Sequence, residues 1–265
     1  MNLMNEVEKI KKDGYSEANA EARLCQDIII NAISRSSLNR NITIKGGVVM
    51  RSLSGNTRRA TQDLDLDFIK YSISEYSIKI FVEKLNCLDG IHVRCVAPIE
   101  ELKHQDYKGK RIQIEVSDDE GNLLTSKMDI GVHKDLDIEQ EEYCFDVCFQ
   151  EDSASVLINS RAQMITEKLK SMMRFGTRST RYKDIFDICY LSEQVDMEKL
   201  RQCMQVYIFN DTTISVSNVD ELRKRAKRIF TNSTYIKNVE RSRKNWLDLS
   251  VKEVLKKDLE FIYRI

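Results

Sequence analysis

Three aspartates alternate with apolar residues in the segment Asp63-Leu64-Asp65-Leu66-Asp67-Phe68. Successive side chains of a β-strand point to opposite faces, so the three carboxylates would share one face. Aspartate is a poor strand former, and neighbouring carboxylates repel one another unless a cation lies between them. Carboxylate oxygens suit Mg²⁺ or Mn²⁺, with triphosphate oxygens and water completing the shell. The segment therefore predicts a metal site, and the alternative is an acidic solvent-facing or edge strand.

A pair of glycines, Gly46 and Gly47, lies upstream of the aspartates and before the mostly apolar run 48–53. Glycine permits positive φ and lets backbone N–H groups approach a phosphate closely. If the apolar run opens a helix, the positive end of that helix faces the same anion. The glycines are therefore predicted to contact phosphate, with Ser52 or Ser54 as further candidate contacts.

The spacing of these residues resembles a known family. Gly-Gly followed by Arg-x-Thr-x-Asp-Leu-Asp-Leu at residues 59–66 is similar to the first motif of the AbiEii/AbiGii toxins, which belong to the DNA polymerase β-like nucleotidyltransferase superfamily. The resemblance implies that Asp63 and Asp65 bind the metal and that Arg59 and Thr61 lie at the nucleotide site. Residues 167–191 resemble the later motif of the family, which implies functional roles for Lys168 and Asp184.

The third carboxylate of the site has two candidates. Polymerase β-like enzymes place it on a neighbouring strand, where it completes the metal set and takes a proton from the attacking hydroxyl. Asp129, on the polar face of the predicted strand 126–132, is our candidate for catalysis and for the metal. Asp67 is the rival on the first strand, and an Asp129 facing solvent without a role also stays open.

Lys168 lies beside the apolar stripe of a predicted helix, a stripe formed by Ile165, Leu169, Met172 and Met173. A lysine there could neutralise the phosphates of a bound nucleotide. Asp184 could hold Lys168 or Arg181 in place. An ordinary surface ion pair is the alternative.

The remaining pattern predicts an α/β fold with a polymerase β-like nucleotidyltransferase core, a mixed sheet and a helical carboxyl-terminal region. Helices are expected over residues 17–33 and from Ser74 to about 84, and strands over 91–96, 111–116 and 126–132 with a hairpin loop at 118–122. We expect a nucleotidyltransferase domain at residues 1–152. Residues 153–265 are expected to form a helical domain that completes the active site and contacts the acceptor.

Charge is distributed unevenly along a chain whose net charge is zero. Residues 160–265 contain 22 Lys and Arg against 14 Asp and Glu, and residues 1–159 carry the opposite balance of 20 against 28. Basic clusters at 223–228 and 241–244 predict either contact with an RNA backbone or a solvated helix face. Seven cysteines without a Cys-x-x-Cys pair, no signal-peptide pattern and no membrane-spanning run predict a cytoplasmic protein with reduced thiols.

The resemblance implies a function. AbiEii-like proteins are toxins of toxin–antitoxin and phage-defence systems, and relatives of the MenT kind add nucleotides to the tRNA 3′ end. We therefore expect an enzyme that uses Mg²⁺ or Mn²⁺ to transfer NMP from NTP to tRNA, with a cognate antitoxin protein as partner. Nucleotidylation of a protein or small molecule, and a non-catalytic nucleotide-binding regulator, are the alternatives.

Overall fold

The structure is a computed structural model that describes residues 1–102 and 109–265. The chain forms two compact units, residues 1–159 and 160–265. No helix within the described ranges is long and apolar enough to span a membrane.

The first unit is a mixed sheet with helices. Its described strands are β1 (Ile42–Lys45), β2 (Asp63–Ile69), β3 (Ile91–Cys95), β4 (Glu100–Glu101), β5 (Lys110–Asp118), β6 (Leu123–His133), β7 (Glu141–Phe145) and β8 (Ala154–Ile158). Its helices are α1 (Leu3–Lys12), α2 (Glu17–Arg35), α3 (Gly46–Ser54) and α4 (Glu75–Lys84).

The strand order is β3-β5-β6-β2-β1-β8-β7, with β4 pairing with β5 outside this path. The β2–β6 and β1–β8 pairs are parallel, and the other pairs are antiparallel. β2 and β6, which carry the predicted carboxylates, therefore lie side by side in the middle of the sheet.

One face of β2 forms part of the apolar core. Leu64, Leu66 and Phe68 are at most 1% exposed, and Phe68 makes an edge contact with Phe81 of α4 at a centroid distance of 5.3 Å. Because side chains alternate along a strand, burial of these three residues directs all three aspartates to the opposite face. Burial of the apolar side chains thus determines which face of the strand the aspartates occupy.

The second unit is helical. It contains α5 (Arg161–Phe175), α6 (Lys183–Leu191), α7 (Met197–Met204), α8 (Val219–Phe230), α9 (Ser233–Arg241) and α10 (Val251–Arg264). The predicted stripe of α5, from Ile165 to Met173, is buried. Ser160 caps α5 by accepting a hydrogen bond from the backbone N–H of Gln163.

Most predicted elements are confirmed, with boundaries shifted by a few residues. The helix expected at 17–33 is α2, and Ser74 caps α4 as predicted. The expected hairpin joins β5 to β6, and Asp118 accepts hydrogen bonds from the backbone N–H groups of Glu120 and Asn122. The mixed α/β fold with a helical carboxyl-terminal part is therefore correct.

The expectation of helix from about residue 153 is wrong at its start. Residues 154–158 form β8, which pairs with β1 of the first unit, and that unit ends at Asn159. A five-residue segment of mostly apolar residues is ambiguous between helix and strand when read from sequence. Its parallel partner lies more than 100 residues earlier in the chain, so no local signal marks the pairing.

Candidate active site

The candidate site of the first unit is built on a polar face shared by four adjacent strands. The register pairs Lys45 of β1 with Asp65 of β2, Asp65 with Asp129 of β6, and Asp129 with Arg111 of β5. Residues paired in this way lie beside one another on the same face of the sheet. Asp65 and Asp129, which are separated by more than 60 residues of sequence, are therefore neighbours.

The helix that follows β1 begins at Gly46, so both glycines form its first turn. This start is two residues earlier than the apolar run alone indicates. The first N–H groups of a helix have no partner within that helix and carry a partial positive charge. The first turn of α3 therefore lies at the edge of the aspartate face.

Each glycine is required by a close neighbour from the aspartate segment. Gly46 has a φ of +70°, and a Cβ atom built on it would overlap the carboxylate of Asp65. A Cβ atom on Gly47 would lie 2.6 Å from Oγ1 of Thr61. The structure therefore brings together the two glycines, Thr61 and Asp65, which come from two separate segments of the sequence.

Asp129 is held by a bidentate salt bridge. Nε of Arg111 donates to Oδ1 at 2.7 Å, and Nη2 donates to Oδ2 at 2.8 Å. The hydrogen bond to Asp129 raises the pKa of Arg111 above its ordinary value. The guanidinium fixes the orientation of the Asp129 carboxylate beside Asp65.

Asp67 has a different environment from Asp129. Its side chain is 5% exposed, and Oδ1 lies 2.6 Å from Nζ of Lys45. Burial and this ion pair tie Asp67 to the sheet itself. Asp67 is therefore the more deeply buried of the two rival carboxylates, and each of them is paired with a cation.

Asp63 is exposed, whereas Asp65 is partly buried. Among residues 1–102 and 109–265, no three His, Cys, Asp or Glu side chains are grouped so that they alone could hold a metal ion. Mg²⁺ is ordinarily bound through one or two protein carboxylates together with substrate phosphates. The oxygen donors of Asp63 and Asp65 fit that mode, and any ligation by Asp129 would share its carboxylate with Arg111.

Arg59 and Ser52 are the remaining predicted site residues of the first unit. Arg59 is 4% exposed and ends a short 3₁₀ turn at Thr57–Arg59 just before β2. Ser52 lies on the second turn of α3, and its hydroxyl is 3.2 Å from the Tyr143 hydroxyl of β7. Six residues of helix advance about 9 Å, so Ser52 is distant from the helix end and its phosphate contact stays a prediction.

Lys168 and Asp184 lie in the second unit, in a cluster around a buried aspartate. Nζ of Lys168 is 2.7 Å from Oδ2 of Asp187 and 3.4 Å from Oδ1 of Asp184. Asp187 is fully buried and also accepts a hydrogen bond from Nε1 of Trp246 at 3.0 Å. The nearer partner of Lys168 is thus Asp187, and Asp184 also lies 3.7 Å from Nε of Arg181.

Sequence reasoning missed Lys45, Arg111 and Asp187 as partners of the predicted site residues. The alternation within each strand indicates that Lys45 and Arg111 face the polar side, but no local signal fixes which strands are neighbours. In the sequence, Asp187 follows Asp184 by three residues, which places both carboxylates on one face of a helix. This spacing could have suggested that both carboxylates surround one lysine.

The sequence matches a class of enzyme. A family model described as "Nucleotidyl transferase AbiEii toxin, Type IV TA system" matches residues 28–258. The match spans the carboxylate strands and both motifs, so the protein is a nucleotidyltransferase.

The chain belongs to the AbiEii family of nucleotidyltransferase toxins of type IV toxin–antitoxin systems. Membership implies an NTP substrate and an antitoxin partner. No curated protein matches the chain.

A solved structure that the chain is similar to is described as "Crystal structure of an antigenic nucleotidyltransferase-like protein from Paracoccidioides brasiliensis". The match covers 78% of this chain and 97% of that chain, with 14% sequence identity and a TM-score of 0.43. A likeness this distant says nothing about individual residues of the site.

Proposed function

We propose that this protein transfers a nucleoside monophosphate from an NTP to the 3′ end of tRNA in a reaction that depends on Mg²⁺. The observation that carries this proposal is the register that sets Asp65 beside Asp129 and against Gly46, at the start of α3. Carboxylates and an anion-binding helix end are the two components that a metal–triphosphate complex requires.

The substrate is held by the first unit in this proposal. Backbone N–H groups of Gly46 and Gly47 bind phosphate oxygens, because neither glycine has a side chain that would block the approach. Arg59 and Thr61 lie at the nucleotide, as the family resemblance implies. Asp63 and Asp65 would hold Mg²⁺ (or Mn²⁺), which stabilises the attacking and leaving oxygens of an in-line displacement when it is bound.

The proton of the attacking hydroxyl goes to Asp129. The 3′ hydroxyl oxygen forms a bond with the α-phosphorus, the bond between that phosphorus and the bridging oxygen breaks, and pyrophosphate leaves. Arg111 keeps the Asp129 carboxylate oriented for proton transfer through its two hydrogen bonds.

Lys168 and Asp184 act on the nucleotide within the same proposal, on the strength of the family motif. Lys168 supplies positive charge to the phosphates, and Asp184 restrains its ammonium group together with Asp187. The excess of basic residues in residues 160–265 supports a polyanionic acceptor.

Transfer to tRNA is tested by labelling. Purified protein is incubated with Mg²⁺, each α-labelled NTP in turn, and total tRNA or cell lysate, beside the Asp63→Ala/Asp65→Ala protein. A second variant, Asp89→Ala/Asp137→Ala, removes two exposed carboxylates elsewhere in the first unit and controls for the change in charge.

Label on tRNA is expected with the wild type and the control variant, and at least about 100-fold less label with Asp63→Ala/Asp65→Ala. Label on a protein band would overturn the acceptor and keep the transfer chemistry. Absence of transfer to every acceptor would overturn the proposed reaction. In a heterologous host, growth inhibition that survives Asp65→Ala would contradict a catalytic origin of toxicity.

A further inference from the structure

A cavity of about 510 Å³ lies within the second unit, beside helix α8. Its wall includes the cationic residues Lys224, Arg225 and Arg228 and the aromatic residue Phe175. Thr177 and Ser215 add hydroxyl groups to the same wall. Cations, hydroxyls and one aromatic ring therefore meet around a single space.

The three cations of the cavity wall are at least partly accessible to solvent. Within the described ranges, neither Arg225 nor Arg228 has an ion pair, and both are at least partly exposed, as is Lys224. By contrast, Arg223 on the same helix pairs with Asp220 at 3.2 Å and donates to the carbonyl of Tyr263. Of the five cations in the run 223–228, Arg223 is structural, three line the cavity, and Lys227 lies outside its wall.

One carboxylate, Glu221, also lines the cavity and is already engaged. It accepts hydrogen bonds from the backbone N–H and the hydroxyl of Ser217, at 2.7 and 2.9 Å. These hydrogen bonds lower the pKa of Glu221 below its ordinary value, so it stays anionic at neutral pH. Three cations against one anion leave the wall with a positive charge.

Phe175 is 47% exposed although it is the last residue of α5, a helix whose other large apolar residues are buried. Gly176, which also lines the cavity, has a φ of +57°, and this left-handed conformation ends α5 immediately after the ring. Leaving a phenylalanine half in water is unfavourable unless a partner covers it. An aromatic ring beside cations is the arrangement on which single-stranded nucleic acids stack a base.

We infer that this cavity binds a single-stranded segment of the RNA acceptor, with a base stacked on Phe175 and phosphates on Lys224, Arg225 and Arg228. The inference rests on the proposed function for the identity of the acceptor. A free NTP offers the same chemistry of base and phosphate. RNA is favoured because Lys224 and Arg228 are separated by about 6 Å along the helix, which suits successive phosphates, and because the whole unit has an excess of eight positive charges.

The test measures binding of a short fluorescein-labelled single-stranded RNA by fluorescence anisotropy over a range of KCl concentrations. Lys224→Ala/Arg228→Ala removes two cavity cations. Lys227→Ala/Lys237→Ala removes two lysines that lie outside the cavity wall and is the matched control. Phe175→Leu keeps an apolar side chain but removes the aromatic ring, whereas Phe175→Tyr keeps the ring. Thermal melts verify that each variant is folded.

The cavity variant is expected to bind RNA at least about tenfold more weakly, with the slope of log K against log salt reduced by about 1.4 for two lost phosphate contacts. Phe175→Leu should weaken binding about fivefold or more, whereas Phe175→Tyr keeps it. The control should bind like the wild type.

Equal binding by the cavity and control variants would overturn the cavity assignment while leaving the labelling of tRNA, and thus the proposed function, intact. Loss of labelled NTP binding in the cavity variant, with RNA binding unchanged, would assign the cavity to the nucleotide and overturn the inference. Wild-type protein that neither binds RNA nor labels tRNA would overturn both.

Discussion

Gly46 is the residue at which backbone conformation and chemistry meet. Its φ of +70° favours glycine, and a Cβ atom would overlap the Asp65 carboxylate. Gly55 has a similar φ of +61°, but a Cβ atom at that position would meet no neighbour within 4 Å. A substitution at Gly55 would therefore introduce backbone strain alone, whereas a substitution at Gly46 would also displace Asp65.

Gly46→Ala and Gly55→Ala should each lower the free energy of unfolding by about 1–2 kcal/mol through the left-handed φ. Gly46→Ala alone should also reduce nucleotide transfer by about 100-fold, because Asp65 must move. Thermal unfolding and initial rates of transfer measure the two effects. An equal loss of activity in both variants would show that Gly46 has no specific relation to Asp65.

The two candidates for the third carboxylate predict opposite behaviour on neutralisation. Asp129→Asn should reduce transfer by at least about 100-fold with little change in melting temperature, since Arg111 is partly exposed and remains solvated. Asp67→Asn should lower stability by about 1–3 kcal/mol, because it weakens a buried pair with Lys45, and should keep activity in the folded fraction. The reverse pattern would identify Asp67 as the catalytic carboxylate.

At the scale of elements, Asp187 joins α5, α6 and the segment that carries Trp246. It is fully buried and receives hydrogen bonds from Lys168 and Trp246, whereas Asp184 is 14% exposed and lies farther from Lys168. Removing one partner of a buried ion pair leaves the other charge uncompensated. Substitutions of Asp187 and Asp184 should therefore have different effects on stability, although the two residues lie one helical turn apart.

Asp187→Ala should destabilise the protein by about 3–5 kcal/mol and Asp184→Ala by less than about 1 kcal/mol. Urea unfolding followed by the fluorescence of Trp246, the single tryptophan of the chain, measures both. If Asp184 acts on the nucleotide as the family motif implies, Asp184→Ala should lose transfer without losing stability. Equal destabilisation by the two variants would refute this division of roles.

Helix α10 contains a buried carboxyl group, Asp258, neither of whose oxygens has a hydrogen-bond partner among the described residues. Burial raises its pKa well above the ordinary value. The pKa of the Cys189 thiol on α6 is raised to about 12, mainly because the thiol is buried and secondly because the Asp258 carboxylate is near. The environment of Asp258 therefore disfavours negative charge.

The direction of the pH effect follows from the proton count. The folded state binds the Asp258 proton more tightly than the unfolded state, so stability falls as pH rises above the unfolded pKa of about 3.9, by about 1.4 kcal/mol per pH unit until the folded pKa is reached. Asp258→Asn should remove this loss and raise the melting temperature more at pH 8 than at pH 5. Glu260→Gln, an exposed change on the same helix, should leave the pH profile unchanged, and a wild-type profile shared by Asp258→Asn would refute the assignment.

At the scale of the whole molecule, the division into units coincides with a division of charge. Residues 1–159 carry a net charge of −8, and residues 160–265 carry +8. The acidic unit contains Asp63, Asp65 and Asp129, the candidate metal ligands, and the basic unit contains the cavity on α8. A net charge of zero thus conceals one acidic unit and one basic unit.

Affinity for tRNA should consequently fall by about 20-fold between roughly 50 and 200 mM KCl, if three cations contact phosphates. The affinity for NTP, measured without tRNA, should change less, because the proposed site would bind its phosphates largely through backbone N–H groups and a carboxylate-held metal. Filter binding or anisotropy at several salt concentrations measures both. Affinity for tRNA that does not depend on salt would contradict a phosphate-based interface.

The amino-acid sequence by itself determined the local features of this protein. The period of two in residues 63–68 assigned Leu64 and Leu66 to the core and the aspartates to the other face, because burial of one face orients the whole strand. Gly-Gly before an apolar run indicated the helix end, and the two motifs indicated the family. These signals are all carried by residues within a few positions of one another.

Only the tertiary structure showed which distant residues become neighbours. Asp129 lies beside Asp65 and is held by Arg111 because β6 lies between β2 and β5, and Asp67 is paired with Lys45 because β1 runs antiparallel to β2. The cavity likewise depends on packing that brings the end of α5 next to α8. Alternation within a strand or helix fixes the face that a side chain occupies, but strand order and helix packing depend on the summed burial of the whole core, which no local segment encodes.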